Sequence, residues 1–567
     1  MNRRDTIKAA LSTMALTRDS FLAPRGSSGV PPGAATFAIT PQTFGAVGDG
    51  IVDDTAAIQS AVDAASNARR PFAMAPGDYK VTGTVVVSGD HFQWVQPPGA
   101  AIHCYNPGGP AIRFAGTDRP MAFLVVDGMR LVREVSAHRQ PMVVFGDAHG
   151  LSYFAVRNVF LDGQSHLGDG IHLFSLYDGS FSSVMENNVG GIGAVFRNDP
   201  SLNVGNISFA DWSNNASPIL FLIQEYFGRP HNLINSLLFN NCKLALASGG
   251  KFFAGTASSS HAAGAQTVSV GSGQGVNFAP LDWVVIIQGT TGYVWADRVE
   301  RASGDDIGLS APLPFAVQSG DAVIAGRWHT VLGGSVSNVE INVPHFERVN
   351  GMLGVGAGGV LVMSPFLGAN VYRGAYLAQG AQQWEIVGPR GSLPAAGVVL
   401  HQANNPNNSR NVVRGASLAE VGGQGSMVRV DGGTACYWSD RFQGTDVPIG
   451  VWHQDGSVPA SQSNVQLAGP SGSARPLRMR SPGSLLGLLV QLSTPRMAGT
   501  LTATVFRNGV ATSLSATIDR QSPSWHAAEA LRAMEFVPGD AIEVRVTSDA
   551  VWAPTKNDLD VTVYVSQ

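Results

Sequence analysis

Between Asn158 and Gly250 one short pattern recurs: a small residue, a mostly apolar run, then a polar tip. It reads Gly170-IHLFSLYD, Gly191-IGAVFRND and Pro218-ILFLIQEY, and its tips are Asp178, Asp199 and Glu225. The starts lie 21 and 27 residues apart, with Asn pairs at the joints (Asn187-Asn188, Asn214-Asn215, Asn240-Asn241). Runs this short cannot bury an apolar face alone. Stacked at a fixed period they can, so the spacing predicts a solenoid of β-coils with its polar tips aligned on one face.

The rest of the chain agrees with a turn-rich, all-β protein: 67 of 567 residues are Gly, only 14% are charged, and amphipathic helical periodicity occurs once. With 37 Lys and Arg against 41 Asp and Glu, the net charge of -4 leaves no basic surface of the kind a phosphate backbone requires. Nucleic acid is therefore not an expected partner. Cys104, Cys242 and Cys436 stand far apart and form no ligand spacing, so neither disulfides, a metal nor a cofactor is expected. No apolar run of about 18 residues is present, which predicts no membrane-spanning helix.

The helical stretch follows a glycine-rich turn, Phe44-GAVGDGIVDDTAAIQSAV-Asp63. Ala57, Ile58, Ala61, Val62 and Ala65 share one face from Thr55 to Ser66, and Asp53, Asp54 or Thr55 is placed to cap the first turn. An exposed solenoid end leaves unpaired backbone and open core, and this helix is suited to cover it. These Asp residues are therefore read as caps and turn formers.

This segment, followed by the Pro76-Gly77 turn before Tyr79, resembles the opening segment of the pectate-lyase-like right-handed β-helix superfamily, which includes polygalacturonases, exopolysaccharide-degrading enzymes and phage tailspike depolymerases. The resemblance covers residues 37 to about 85 and implies a right-handed parallel β-helix, a polysaccharide substrate and, by likeness to tailspikes, a homotrimer and a place in a phage virion tail. The polygalacturonase signatures Asn-Thr-Asp, Gly-His-Gly and Arg-Ile-Lys are missing, as is the dense Asp cluster with which pectate lyases hold calcium. Arg3-Arg4 before the apolar run Ala9 to Leu16 resembles a twin-arginine export leader and so implies a secreted or periplasmic protein; a partner-binding tail is the alternative.

The remaining chain divides by rhythm. Residues 1–36 read as leader or tail, 37–255 as the first part of the β-helix with its cap, 256–326 as a small inserted β-domain, 327–456 as the second part of the helix, 457–474 as linker and 475–567 as a β-sandwich. The sandwich reading rests on alternating strands around Asn508-Gly509, a two-residue hairpin signal.

The aligned tips are the leading catalytic candidates. Coils stack at about 4.8 Å, so Asp178, Asp199 and Glu225 would be neighbours. Two ionised carboxylates about 5 Å apart repel by roughly 3 kcal/mol at an effective dielectric of 20, enough to hold one proton near neutral pH. Such a pair supplies the acid and the base or nucleophile of glycoside hydrolysis. Around it, Arg197, Arg229 and His231 are candidates for binding acidic sugars or hydroxyls, and Tyr177, Trp212 and Tyr226 for stacking on sugar rings. The plain alternative is that these carboxylates brace coil corners. A second ladder, Asp162, Asn187, Asp211 and Asn241 with Glu186 alongside, is read as structural, with Asp211 the member assigned to substrate. His345, Glu347 and Arg348 form a polar group after the insertion, placed to reach substrate if the insertion overhangs a groove. His172, His401 and His453 read as packing or surface residues. The leading function is a polysaccharide-degrading glycoside hydrolase; a uronate-directed lyase and a non-catalytic tail adhesin are the alternatives.

Overall fold

The computed structural model describes residues 38–197, 204–224, 234–247, 251–334, 336–394, 396–414, 426–431, 434–439, 447–469, 474–480 and 483–566. Most of these residues lie in parallel strands whose register repeats from coil to coil, making a solenoid of about 13 turns. Leu151–Asp162 pairs in parallel with Leu176–Asn187, that strand with Val204–Asn214, and that with Ile234–Asn240. These belong to a 20-stranded sheet that wraps round the solenoid, and an 11-stranded parallel sheet closes the remaining face.

Corners explain two of the joint asparagines, Asn188 and Asn241, which have positive φ. Tyr153, Asp178, Asn206, Ser236 and Asn338 occupy one corner of successive coils, and Asn158, Ser183, Asp211, Asn241 and Val343 the next; all have positive φ. Asn and Asp tolerate the left-handed region because their short polar side chains bond locally, so they recur where each coil turns. The interior holds a column of rings: Phe114 on Phe145 at 4.9 Å, Phe181 on Phe209 at 5.6 Å and Phe209 on Phe239 at 4.7 Å. Equivalent positions on successive coils place these rings within van der Waals reach, and burying each contributes roughly 2–3 kcal/mol.

Both ends of the solenoid are covered. The helix α1 (Thr55–Ala68) buries Ile58, Ala61, Val62 and Ala65 against the first coils. The N-cap position is Asp54, which makes no side-chain cap bond; Asp53 before it accepts the Thr55 amide at 3.1 Å, while Asp54 accepts Val47 N–H at 2.7 Å and folds the glycine turn back on itself. At the other end Trp525 of the C-terminal region joins the solenoid core. That region consists of antiparallel sheets of four and five strands, with the Asn508-Gly509 turn joining Leu501–Arg507 to Val510–Ile518.

Between two coils the chain leaves to build an antiparallel six-stranded sheet that starts at Phe252–Thr256 and ends at Ala322–Gly326. It then re-enters at Trp328–Gly333, which pairs with Ile219–Ile223 as the next rung. The insertion packs against the outer face of the 11-stranded sheet. Trp283, Val285, Ile287 and Ile324 form one apolar cluster with Val195, Leu222, Val331 and Leu353.

Candidate functional site

The register shifts the phase of the repeat. Gly170 shares a rung with Gly193, two residues beyond the Gly191 that the repeat phase suggests, because Ile171 pairs with Ala194. Asp178 stands beside Asn206, whose Nδ2 donates to its Oδ1 at 2.9 Å. Coils differ by a few residues at their loops, so equal run lengths do not by themselves put the tips on one rung. Asp199, Glu225, Tyr226, Arg229 and His231 lie outside the described residues.

Other expectations also change. Trp212 is fully buried, 5.1 Å from Phe221 in an edge-to-face contact, and is a core residue with no face for a sugar. The second polar ladder is in fact two: Asp162 pairs with Asn187, whose Oδ1 accepts from Asn215 at 3.1 Å, and separately Asp211 accepts from Asn241 at 2.8 Å. Asp211 thus braces a corner. Tyr177 is half-buried on a rung with Ser152 and Gly205, and Arg197 half-buried on a rung with Phe174. His345 lies 3.6 Å from Glu347, and Arg348 donates to the carbonyls of Leu246 and Ala247, at 3.3 and 3.0 Å, in the preceding coil. These three stand on or beside a strand of the 20-stranded sheet, not on the sheet that the insertion covers.

The 11-stranded sheet brings together residues that the sequence scatters. One outward file runs His172, Val195, Leu222, Val331, Leu353, Tyr376, His401, Arg429 on successive coils. Its apolar middle lies under the insertion and its polar ends emerge on either side. At the far end a cavity of about 850 Å³ opens between the solenoid, the insertion and the C-terminal sandwich. Phe252, Phe253 and Gln274 line it from the insertion, Arg373, Tyr376, His401, Arg429 and Asp431 from the solenoid, and Arg520 and Gln521 from the sandwich.

A polar relay crosses this floor. The Arg373 Nε–H donates to His401 Nδ1 at 2.9 Å, and His401 Nε2 meets Asp431 Oδ2 at 2.7 Å. Because a guanidinium has only donors, Nδ1 must accept and the imidazole proton must sit on Nε2, facing the carboxylate. Burial pushes His401 down to about 4, against the opposing pull of Asp431, so the ring is neutral at pH 7. Asp431 also accepts Arg429 Nε at 3.0 Å. Burial would raise its carboxyl, but His401 and Arg429 outweigh that and hold it below the usual range. Arg373 is pushed down to about 10, by burial first and by Arg429 second, and stays a cation at neutral pH. Its guanidinium lies over the Phe252 ring, 4.1 Å from the centroid, with Nη1 donating to the Tyr372 and Ala396 carbonyls. Burial raises the Tyr376 phenol, which therefore remains a neutral donor.

The lining sets cations beside aromatic surface. Asp431 is the single carboxylate among the described residues lining the cavity, set against Arg373, Arg429 and Arg520, while Phe252, Phe253 and Tyr376 offer aromatic surface. Both nitrogens of His401 are occupied, so it orients its neighbours. Among the described residues no group of three His, Cys, Asp or Glu side chains is placed to hold a metal ion, and no helix is long and apolar enough to cross a membrane.

No family model matches the sequence, and no curated protein matches it. Solved structures do resemble it. ORF18 of Geobacillus virus E2 aligns at 13% identity over 88% of this chain and 76% of its own, with a TM-score of 0.36. Tailspike protein 2 of bacteriophage CBA120 aligns at 11% identity over 92% and 79%, with a TM-score of 0.38. The A-module of the Azotobacter vinelandii mannuronan C-5 epimerase AlgE6 aligns at 12% over 70% and 99%, with a TM-score of 0.38. At these TM-scores the assignment of fold rests on the strand register itself. The chain is a parallel β-helix protein. The sequence pointed to His401 only as a packing residue and to Tyr376, Arg429 and Asp431 not at all. A signal was present: Tyr376, His401 and Arg429 are spaced by 25 and 28 residues, close to the coil period.

Proposed function

We propose that this β-helix protein acts on a polysaccharide and that the cavity at the junction of solenoid, insertion and sandwich holds the sugar. The observation that carries the reading is the floor of that cavity. Tyr376, His401, Arg429 and Asp431 converge there from three coils, beside the aromatic walls Phe252 and Phe253. Pockets of a few hundred to about a thousand Å³, mostly apolar with a few convergent polar groups, are the usual form of ligand sites. A volume of about 850 Å³ falls within that range.

For the chemistry, hydrolysis of a glycosidic bond by paired carboxylates is the proposal drawn from the sequence, with Asp178, Asp199 and Glu225 as its candidates. The cavity favours a second reading, elimination beside a uronate, because it provides cations and a neutral phenol with only one carboxylate among its described lining. Elimination needs the uronate charge neutralised and a proton delivered to the leaving oxygen, to replace the one that a base, here Asp431 as the one carboxylate of the described lining, takes from the carbon beside the uronate carboxylate. Arg429 is suited to the first task and Tyr376 to the second.

A panel of plant and bacterial polysaccharides tests the proposal. New reducing ends without absorbance near 235 nm identify hydrolysis, unsaturated ends identify elimination, and binding without cleavage identifies an adhesin. Loss of both binding and cleavage in Arg429→Ala assigns the cavity; unchanged binding and cleavage in that variant refutes it.

A further inference from the structure

The Arg429 guanidinium is held from two sides. Its Nε donates to Asp431 of the solenoid, while Nη1 and Nη2 donate to Gln521 of the sandwich, to the side-chain Oε1 at 3.0 Å and to the backbone carbonyl at 2.7 Å. A guanidinium has five N–H groups. Three are used in this way, so two remain unpartnered among the described residues, on a group that lines the cavity. Gln521 is itself fixed: Asp519 Oδ1 accepts the backbone N–H groups of Gln521 and Ser522 at 2.7 and 3.0 Å, closing a tight turn. Arg520 of the same turn lines the cavity mouth.

The choice of a neutral acceptor matters. Glutamine orients the guanidinium as a carboxylate would, but adds no second negative charge beside the Arg429–Asp431 ion pair. Counting the charged groups of the lining, Arg373, Arg429 and Arg520 oppose Asp431, three positive charges against one negative, for a balance of two positive charges at neutral pH. A planar fork with free N–H groups and surplus charge is matched to a carboxylate or sulfate oxygen pair.

We propose that Gln521, carried by the C-terminal sandwich, is a positioning residue of the cavity, setting Arg429 so that its free N–H edge grips the anionic group of an acidic saccharide. This rests on the polysaccharide reading above and adds that the sandwich completes the site. Among the described residues the solenoid alone holds Arg429 by a single hydrogen bond to Asp431, from Nε, which leaves the fork free to swing. The sandwich supplies two further bonds and fixes its plane.

The test compares the full-length protein with Gln521→Glu and Gln521→Ala, measuring binding of an oligogalacturonate, an oligomannuronate, a sulfated oligosaccharide and a neutral cello-oligosaccharide of the same length. In Gln521→Glu the hydrogen-bond geometry is kept and the cation neutralised. Affinity for the acidic oligomer should fall about tenfold or more, and its dependence on salt should become shallower. Gln521→Ala, which keeps only the backbone bond, should lose less affinity and keep the salt dependence. Unfolding midpoints equal to wild type in both variants separate positioning from folding. An unchanged acidic affinity in Gln521→Glu overturns the inference, as does wild-type protein that binds the neutral oligomer as tightly as the acidic ones; in either case polysaccharide binding itself stands. If none of the four oligomers binds, the polysaccharide reading fails and the inference with it.

Discussion

Glu186 is the most exacting test of the interior. It lies on the strand Leu176–Asn187, fully buried, and is pressed between Gly170 and Gly193: a Cβ on either glycine would come within 2.4 and 2.5 Å of its carboxyl oxygens. Asn214 donates to Oε2 at 2.6 Å, and Oε1 has no hydrogen-bond partner among the described residues. Burial pushes the group from 4.5 up to about 7, with Asn214 opposing and Asp169 adding to the rise. A raised folded-state pKa means that stability is fully present below pH 4.5, where both states are protonated, and falls as pH climbs through 7. At 1.36 kcal/mol per pKa difference of one, the loss is about 3 kcal/mol, of which about 2.5 kcal/mol falls between pH 5 and pH 8. Gln at this position does not titrate. Any misfit of its amide is the same at every pH and drops out when the variant is compared with wild type at two pH values. Guanidinium unfolding followed by circular dichroism should show Glu186→Gln gaining about 2.5 kcal/mol on wild type between pH 5 and pH 8. A gap that stays constant over that range would refute the placement of a protonated carboxyl inside the solenoid.

The insertion should depend on an ionic clasp. Asp297, fully buried, is 3.0 Å from Arg139 and 3.6 Å from His138 of the solenoid and accepts Ser310 Oγ at 2.7 Å. Asp297→Ala strands the Arg139 charge and should cost about 3–5 kcal/mol, seen as faster hydrogen exchange across residues 251–326. In acid the buried histidines act in the opposite sense to Glu186: His329 and His401 are both pushed down to about 4 by burial, so stability they contribute above pH 6.5 is lost as pH falls toward 4. A His329→Gln, His401→Gln double variant should show a smaller fall in unfolding midpoint over that range. Trp212→Ala should cost about 3–5 kcal/mol in unfolding free energy by opening a core cavity, whereas a surface stacking residue would leave stability unchanged. Asp178→Asn should keep the fold, since its one side-chain hydrogen bond among the described residues is a corner bond to Asn206; retained cleavage in that variant would remove Asp178 from the chemistry.

Much of the fold was legible because its causes are local and periodic. The amphipathic face of α1, the Asn-Gly hairpin, and the recurrence of Asn and Asp where coils turn each follow from the conformational preference of a few residues. The candidate site was less legible for the same reason. Asp178 and Asp199 matched in phase along the chain, yet register is set by backbone pairing, which puts Gly193 and not Gly191 on the rung of Gly170 and sets Asp178 beside Asn206; Asp199 lies outside the described residues. Trp212 was a candidate for stacking on sugar rings, but it lies just past the Asp211 corner and points into the core. The apolar file that seats the insertion looked like any other run of Val and Leu.

By itself the sequence determined that this chain stacks short coils, caps them with a helix and interrupts them with an antiparallel insertion, because apolar period, turn chemistry and strand alternation are written residue by residue. Only the tertiary structure decided which polar residues meet. Tyr376, His401 and Arg429 are neighbours through hydrogen bonds between coils, and Gln521 reaches Arg429 across 92 residues of chain. Nothing in local propensity encodes such contacts; they arise from the summed register of many rungs and from where the last domain docks.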